Sequence, residues 1–145
     1  MTREGIEKMK KLFVLVLSMW LTAVSASACG VGEQTSEGYE NAPLSHAFQH
    51  WQQGEQAQIP FVFLDVRTPE EFAEGHIPGA VNIPVQELAT RMSEVPANKR
   101  VYVYCRSGKR AAKASAMLAR AGYHNIENVP ESMDGWRAAG YPVEK

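Results

Sequence analysis

Six consecutive residues combine a nucleophile with positive charge. They are Cys105, Arg106, Ser107, Gly108, Lys109 and Arg110. Glycine permits backbone angles at which neighbouring N–H groups converge on an anion, and the three basic side chains favour negative charge at the same place. Such surroundings stabilise a thiolate, the nucleophilic form of cysteine. We therefore expect Cys105 to be the catalytic residue and the five residues after it to bind an anionic substrate.

A predicted strand and a predicted helix flank this cluster. The apolar run from Val101 to Tyr104 is typical of a strand buried in a parallel sheet. A helix is predicted from Arg110 to Ala121, where Ala114 and Leu118 share one face, and Gly122 ends it. Ligands of open parallel sheets bind at the carboxyl ends of the strands, and a helix presents its positive end there. Cys105 is thus predicted to occupy a binding position.

The remaining pattern alternates strands and helices. Further strands are predicted at Phe61 to Val66, Val81 to Ile83 and Ile126 to Val129. Further helices are predicted at Leu44 to Gln53, from Thr68 through Phe72, at Val85 to Met92 and at Asp134 to Ala139. Thr68 and Glu71 have the spacing of a capping box, with proline between them at the first helical position. This alternation predicts an α/β fold with an open parallel sheet and helices on both faces, formed by one domain at residues 42–145.

The first 28 residues have the order of an export signal. Basic residues precede an uncharged apolar run from Leu12 to Val24, which small residues follow up to Ala28. The run is shorter than the roughly 20 residues that span a bilayer. Met9 is an alternative start, since Lys10 and Lys11 follow it. We expect export to the bacterial periplasm.

Cys29 directly follows the predicted cleavage site. If its sulfur is acylated, the product resembles a bacterial lipoprotein; if another peptidase cuts there, Cys29 begins a soluble chain. We favour the lipid anchor, although Ala26 stands where lipoproteins prefer leucine. The polar residues that follow, rich in Gly, Glu, Ser and Gln, predict a flexible tether over residues 29–41.

Composition excludes several classes of function. The 145 residues carry a net charge of -1, and removal of residues 1–28 leaves 11 basic and 14 acidic residues, a net of -3, so no nucleic-acid partner is expected. Two cysteines exclude a disulfide framework and any site of four thiolates. His46 and His50 lack a third ligand nearby, so no metal is predicted. We expect a monomer without a cofactor.

Three motifs, in order, resemble those of a single-domain rhodanese. They are Leu64-Asp65-Val66-Arg67-Thr68-Pro69-Glu70-Glu71-Phe72, Gly75-His76-Ile77-Pro78-Gly79-Ala80-Val81-Asn82-Ile83-Pro84 and the Cys105 cluster. The exported architecture is similar to that of the phage-shock rhodaneses of the bacterial periplasm. The resemblance implies a thiosulfate sulfurtransferase in which the Cys105 thiolate takes a sulfane sulfur from an anionic donor such as thiosulfate. The resulting persulfide passes that sulfur to cyanide or a thiol.

The resemblance also suggests roles for residues outside the cluster. We expect Asp65 and Arg67 to reach the Cys105 loop, with Asp65 paired to Arg110 and fixing its conformation. His76 is expected in a structural turn rather than in catalysis. Trp136 is expected to pack in the core. Many rhodaneses have two glycines shortly before this tryptophan, where this chain has Glu131 and Ser132, so the pocket wall and the choice of acceptor are in question.

Two other functions remain open at this point. In cysteine-dependent phosphatases the loop places five residues between the cysteine and an arginine, whereas Arg110 follows Cys105 after four and position 111 is alanine. The shorter loop favours a sulfur atom over a tetrahedral oxyanion. The second alternative is a non-catalytic carrier or redox-sensing binding module, in which Cys105 holds a persulfide or responds to oxidants without turnover.

Overall fold

Residues 32–145, the part of the chain that the computed structural model describes, contain six short strands, five α-helices and two 3-10 helices at Gly54–Gln56 and Met92–Glu94. The strands are β1 (Glu33–Gln34), β2 (Glu40–Asn41), β3 (Phe61–Asp65), β4 (Val81–Asn82), β5 (Arg100–Tyr104) and β6 (Ile126–Asn128). The helices are α1 (Leu44–Gln53), α2 (Pro69–Ala73), α3 (Leu88–Arg91), α4 (Lys109–Arg120) and α5 (Ser132–Ala138). The predicted export signal and Cys29 lie outside the described residues. None of the helices within residues 32–145 has the length and apolar sequence needed to cross a bilayer.

The strands form one sheet in the order β1-β2-β6-β5-β3-β4. All neighbouring pairs are parallel except β1 and β2. In the centre of the sheet Asp65 pairs with Tyr104, and Val103 pairs with Asn128. The carboxyl ends of β3, β5 and β6 therefore meet at one edge, and the predicted mostly parallel α/β sheet is confirmed.

Alternation along β5 creates a core on each face of the sheet. Val101 and Val103 point to one face, where Leu88 from α3 and Leu118 from α4 are buried. The opposite face holds a second buried cluster, whose members are Ala42, Ala47, Phe63, Ile77, Tyr102, Tyr104, Val129, Met133 and Trp136. Full burial of one such large side chain stabilises the fold by about 1.5–3 kcal/mol. Helices on both faces are confirmed, as is the packing of Trp136 in the core.

The predicted start of α2 is confirmed in atomic detail. The backbone N–H of Glu71 donates to Oγ1 of Thr68 at 3.3 Å, and the N–H of Thr68 donates to Oε2 of Glu71 at 3.1 Å. Pro69 occupies the first helical position, where a missing N–H leaves no intrahelical bond unmade. This reciprocal cap fixes the direction in which the chain leaves β3.

The largest helix error concerns the segment after β4. A helix was predicted from Val85 to Met92, but α3 spans only Leu88–Arg91. The N–H of Glu87 closes a turn on the carbonyl of Pro84 at 2.9 Å, and a 3-10 turn follows at Met92–Glu94. Apolar spacing identified the buried side chains, yet the turn after proline consumes the first residues of the predicted helix.

The predicted flexible tether is wrong for residues 33–41. β1, a turn and β2 occupy this segment, and Glu40 and Asn41 pair with Glu127 and Asn128 of β6. Tyr39 is buried between the two short strands and the core. Strands of two polar residues show no alternation of apolar side chains, so the sequence does not reveal them. Backbone hydrogen bonds at the sheet edge hold them in place. The sheet of the described domain thus includes residues ahead of residue 42.

Candidate active site

The backbone of Cys105 is held by the start of α5. Cys105 follows β5 directly, and the residue is 1% exposed. Its N–H donates to Oγ of Ser132 at 3.2 Å, while its carbonyl accepts the N–H of Met133 at 3.0 Å. Both main-chain polar groups of the residue are therefore fixed by a segment distant in sequence. These two hydrogen bonds fix the main chain of Cys105 independently of the side chains in its own loop.

Gly108 brings a backbone donor to the sulfur. Its N–H points at Sγ of Cys105 at 3.1 Å, and its φ is +94°. A β-carbon at this position would lie 2.4 Å from the carbonyl oxygen of Pro130, so both the backbone angle and the close approach require glycine. α4 begins at the next residue and runs for 12 residues with its positive end beside the sulfur. The arrangement favours negative charge on Sγ.

The three basic residues of the loop lie in different surroundings. The Arg106 side chain is 72% exposed, with Nε 3.8 Å from Oδ1 of Asp134. Lys109 is also exposed, as is Ser107. Arg110 instead donates from Nη1 and Nη2 to the carboxylate of Glu71 at 2.6 and 2.8 Å. The outer rim is thus carried by Arg106 and Lys109, whereas much of the charge of Arg110 is balanced.

Glu71 is a site residue that the sequence interpretation missed. Hydrogen bonds from Arg110 are the main reason that its pKa falls to about 2. The pKa of Arg110 is raised, chiefly by the same hydrogen bonds and further by the charge of Cys105. One carboxylate therefore caps α2 and anchors the first turn of α4. The capping spacing revealed the first role, but no sequence signal linked Glu71 to a residue 39 positions later.

The predicted pair between Asp65 and Arg110 is wrong. Asp65 pairs with Arg67, whose Nε and Nη2 donate to both carboxylate oxygens at 2.7–3.0 Å. Burial alone lowers the pKa of Arg67, but the hydrogen bonds and charge of Asp65 outweigh it and raise that pKa. The two residues are only two positions apart. The carboxylate at the end of β3 therefore reaches Arg67 more easily than the loop that follows β5. Arg67 also donates to the carbonyl of Gly75 at 2.8 Å, so the pair braces the segment between β3 and β4.

The histidines lie in structural positions. The ring of His76 stacks on Phe72, and its nitrogens lie 2.9 Å from the Phe72 carbonyl and 3.1 Å from Oε1 of Glu144. His50 Nδ1 lies 2.8 Å from the hydroxyl of Tyr102. Within residues 32–145 no three histidine, cysteine, aspartate or glutamate side chains are grouped so that they could hold a metal ion.

Comparison with known proteins agrees with the fold. The family model described as the rhodanese-like domain matches residues 46–139. A sulfurtransferase of Allochromatium vinosum is 39% identical over 82 residues, which are 57% of this chain and 77% of that protein. The thiosulfate sulfurtransferase PspE of Escherichia coli is 37% identical over 68 residues, 46% of this chain and 65% of that protein. Two longer relatives are matched over 37% and 56% of their lengths.

A solved structure extends the likeness to nearly the whole described domain. The crystal structure of a rhodanese-related protein from Thermoplasma volcanium superposes with a TM-score of 0.64 at 29% identity. The match covers 72% of this chain and 96% of that one. The family match spans more than half of the sequence and includes Cys105 with its loop. The chain belongs to the rhodanese family.

Proposed function

We propose that this protein is a sulfurtransferase that carries sulfane sulfur on Cys105. The observation that carries the proposal is the 3.1 Å contact between the Gly108 N–H and Sγ, at the positive end of α4. This contact favours a thiolate at the one cysteine within residues 32–145. Names of relatives support it, since two of them are called thiosulfate sulfurtransferases.

The first half-reaction loads the cysteine. The Cys105 thiolate attacks the outer sulfur of thiosulfate, a new S–S bond forms, and the old one breaks. Sulfite leaves with the electron pair of that bond, and Cys105 retains a persulfide. Arg106 and Lys109 at the exposed rim attract the dianionic donor and stabilise the departing anion. Backbone N–H groups of the loop hold the outer sulfur.

The second half-reaction unloads it. A nucleophile, cyanide or a thiolate, attacks the outer sulfur of the persulfide. The bond to Sγ breaks, the Cys105 thiolate is released, and the product is thiocyanate or the persulfide of the acceptor. Neither step consumes an oxidant or a reductant, because the sulfane sulfur moves from one anion to another. The scheme predicts ping-pong kinetics.

The decisive experiment combines turnover with mass. Purified protein is supplied with thiosulfate and cyanide, and thiocyanate is measured beside Cys105→Ser and the control Cys29→Ser. We expect turnover in the wild type and in Cys29→Ser and none in Cys105→Ser. Equal turnover in Cys105→Ser would refute the mechanism. The intact mass after thiosulfate alone should rise by one sulfur that a thiol reductant removes. A persulfide without turnover would identify the carrier function instead.

We also propose that the protein is exported and acts in the bacterial periplasm, anchored through a lipid on Cys29. The proposal is supported by the order of basic, apolar and small residues before Cys29. Fractionation of cells followed by intact mass measurement of the mature protein tests it. We expect a membrane fraction whose first residue is acylated Cys29, and release into the soluble fraction for Cys29→Ala. A chain that retains residues 1–28 in the cytoplasm would overturn the proposal.

A further inference from the structure

Ser132 has a backbone conformation that side chains rarely adopt. Its φ is +52°, and it is the one non-glycine residue with a positive φ in the described part of the chain. The residue is 0% exposed and stands at the first position of α5. Glycine would adopt this conformation without strain. A serine that is strained and buried needs an explanation in its contacts.

The hydroxyl of Ser132 joins the ends of β5 and β6. It accepts the N–H of Cys105 at 3.2 Å and donates to the carbonyl of Val129 at 2.8 Å. Its Oγ also lies 4.0 Å from Sγ of Cys105, within the range of a long hydrogen bond to sulfur. A hydroxyl hydrogen rotates to suit its acceptor, so the same group can turn from Val129 towards Sγ when the sulfur gains charge.

The charge on Sγ changes in a defined way during sulfur transfer. In the first half-reaction Sγ begins as a thiolate and loses charge. In the second half-reaction Sγ is the leaving group and regains it. A donor that faces Sγ stabilises the leaving thiolate and therefore speeds the second step. In the first step the same donor stabilises the reactant thiolate and gives no acceleration. The hydroxyl of Ser132 is placed to act mainly on the unloading of the persulfide.

We propose that Ser132 is a positioning residue for Cys105, holding the main chain of the nucleophile and donating to Sγ as the persulfide is cleaved. This inference rests on the proposed sulfur transfer. Glycine at this position would relieve the backbone strain but would remove the partner of the Cys105 N–H. The hydrogen bonds of the hydroxyl thus explain why a strained serine occupies a position that glycine would adopt without strain.

The test separates the hydroxyl from the backbone strain. Ser132→Ala and Ser132→Gly both lack the hydroxyl, but only alanine keeps the strained β-carbon. We expect Ser132→Gly to unfold at a higher temperature than Ser132→Ala, while both unload a preformed persulfide to cyanide about tenfold more slowly than the wild type. Loading by thiosulfate should slow by a smaller factor in both, because it depends on the position of Cys105 but is not accelerated by the hydroxyl donor. Ser115→Ala is the matched control, since Ser115 is buried on α4 and its hydroxyl has no partner among residues 32–145.

Two results would overturn the inference. One is unloading at the wild-type rate in both variants, and the other is a rate that follows stability, with Ser132→Gly restored and Ser132→Ala slow. A third measurement does not depend on sulfur transfer: the rate at which iodoacetamide alkylates Cys105, in a Cys29→Ser background. We expect this rate to fall in both Ser132 variants but not in Ser115→Ala. If the wild type transfers no sulfur and this pattern still appears, the proposed function fails while the positioning of Cys105 by Ser132 stands.

Discussion

Asp65 and Arg67 form a buried ion pair at the end of β3, with Oδ2 of the carboxylate 2.7 Å from Nη2 of the guanidinium. The side chains are 0% and 3% exposed. The N–H of Arg67 also donates to Oδ1 of Asp65 at 2.9 Å, so the chain folds back on itself within two residues. Asp65 therefore pairs within its own chain segment, and Arg110 of the Cys105 loop pairs with Glu71 instead.

Asp65→Asn should be strongly destabilising. The substitution keeps the shape of the side chain but leaves the charge of Arg67 buried without its partner. We expect the free energy of unfolding to fall by about 3–5 kcal/mol. Urea denaturation at neutral pH measures it. Glu87→Gln is the matched control, because it breaks an exposed pair with Arg91 and should change stability by less than about 1 kcal/mol. A loss below that level for Asp65→Asn would contradict the prediction.

Glu71→Gln should reveal a stabilisation that disappears in acid. The pKa of Glu71 is about 2 in the folded protein and near 4.5 when unfolded, so the unfolded chain takes up the proton first. The advantage of the wild type over the variant is therefore complete above pH 4.5 and is lost as the pH falls towards 2. We expect about 1–2 kcal/mol at pH 7. Urea unfolding at pH 7 and pH 3 measures it, with the exposed neighbour Glu74→Gln as control. An advantage that persists unchanged at pH 3 would refute the assignment.

Two histidines on α1 should make stability depend on pH. Burial, followed by the positive charge of Arg100, lowers the pKa of His46; burial, then His46 and Arg100, lowers that of His50. Their rings lie 4.6 Å apart. Because the unfolded histidines bind protons first, near pH 6.5, stability falls as the pH drops from that value to the lowered values.

The double variant His46→Gln/His50→Gln isolates this effect. Burial raises the pKa of Glu127 beside Arg100, which gives a slope of opposite sign, so the wild type and the variant must be compared at each pH. We expect urea midpoints measured from pH 7.5 to pH 5 to fall less in the double variant. The exposed His124→Gln serves as control. Parallel curves for the wild type and the double variant would exclude the effect.

Gly108→Ala should reduce both stability and sulfur transfer by more than backbone strain alone explains. Gly108 and Gly122 share a φ of +94°, but a β-carbon at Gly122 meets nothing within 4 Å, while one at Gly108 meets the Pro130 carbonyl at 2.4 Å. Gly122→Ala should therefore lose about 1–2 kcal/mol from the left-handed backbone alone. Gly108→Ala should lose more, and displacement of its N–H from Sγ should slow sulfur transfer by about 100-fold. Thermal unfolding and thiocyanate production check both, and equal behaviour of the two variants would contradict the prediction.

The sequence predicted the centre of the fold because burial leaves a strong pattern there. The apolar run of β5 and the capping box of Thr68 each depend on local spacing, and both are confirmed. β1 and β2 were missed, since two polar residues held by backbone bonds leave no such pattern. Edge strands of this kind are defined by the neighbour they join.

The site was predicted in position but not in its pairing. Cys105 directly follows a central strand, as expected, whereas Arg110 pairs with Glu71 and not with Asp65. Asp65 and Glu71 are both carboxylates near the end of β3 in sequence, and only the folded chain shows that Glu71 is the one that reaches Arg110. The role of Ser132 was equally hidden, because a positive φ is a property of the folded backbone and not of the residue type.

The direction of β1 determines at which edge of the sheet the described chain starts. β1 runs antiparallel to β2, with Glu33 opposite Asn41, so it starts at the sheet edge where β5 ends in Cys105. The turn at residues 35–38 lies at the far edge. Gly32, the first described residue, therefore lies at the same edge of the sheet as Cys105. A bulky label placed on the exposed Glu33 would therefore stand at the edge of the sheet that carries Cys105.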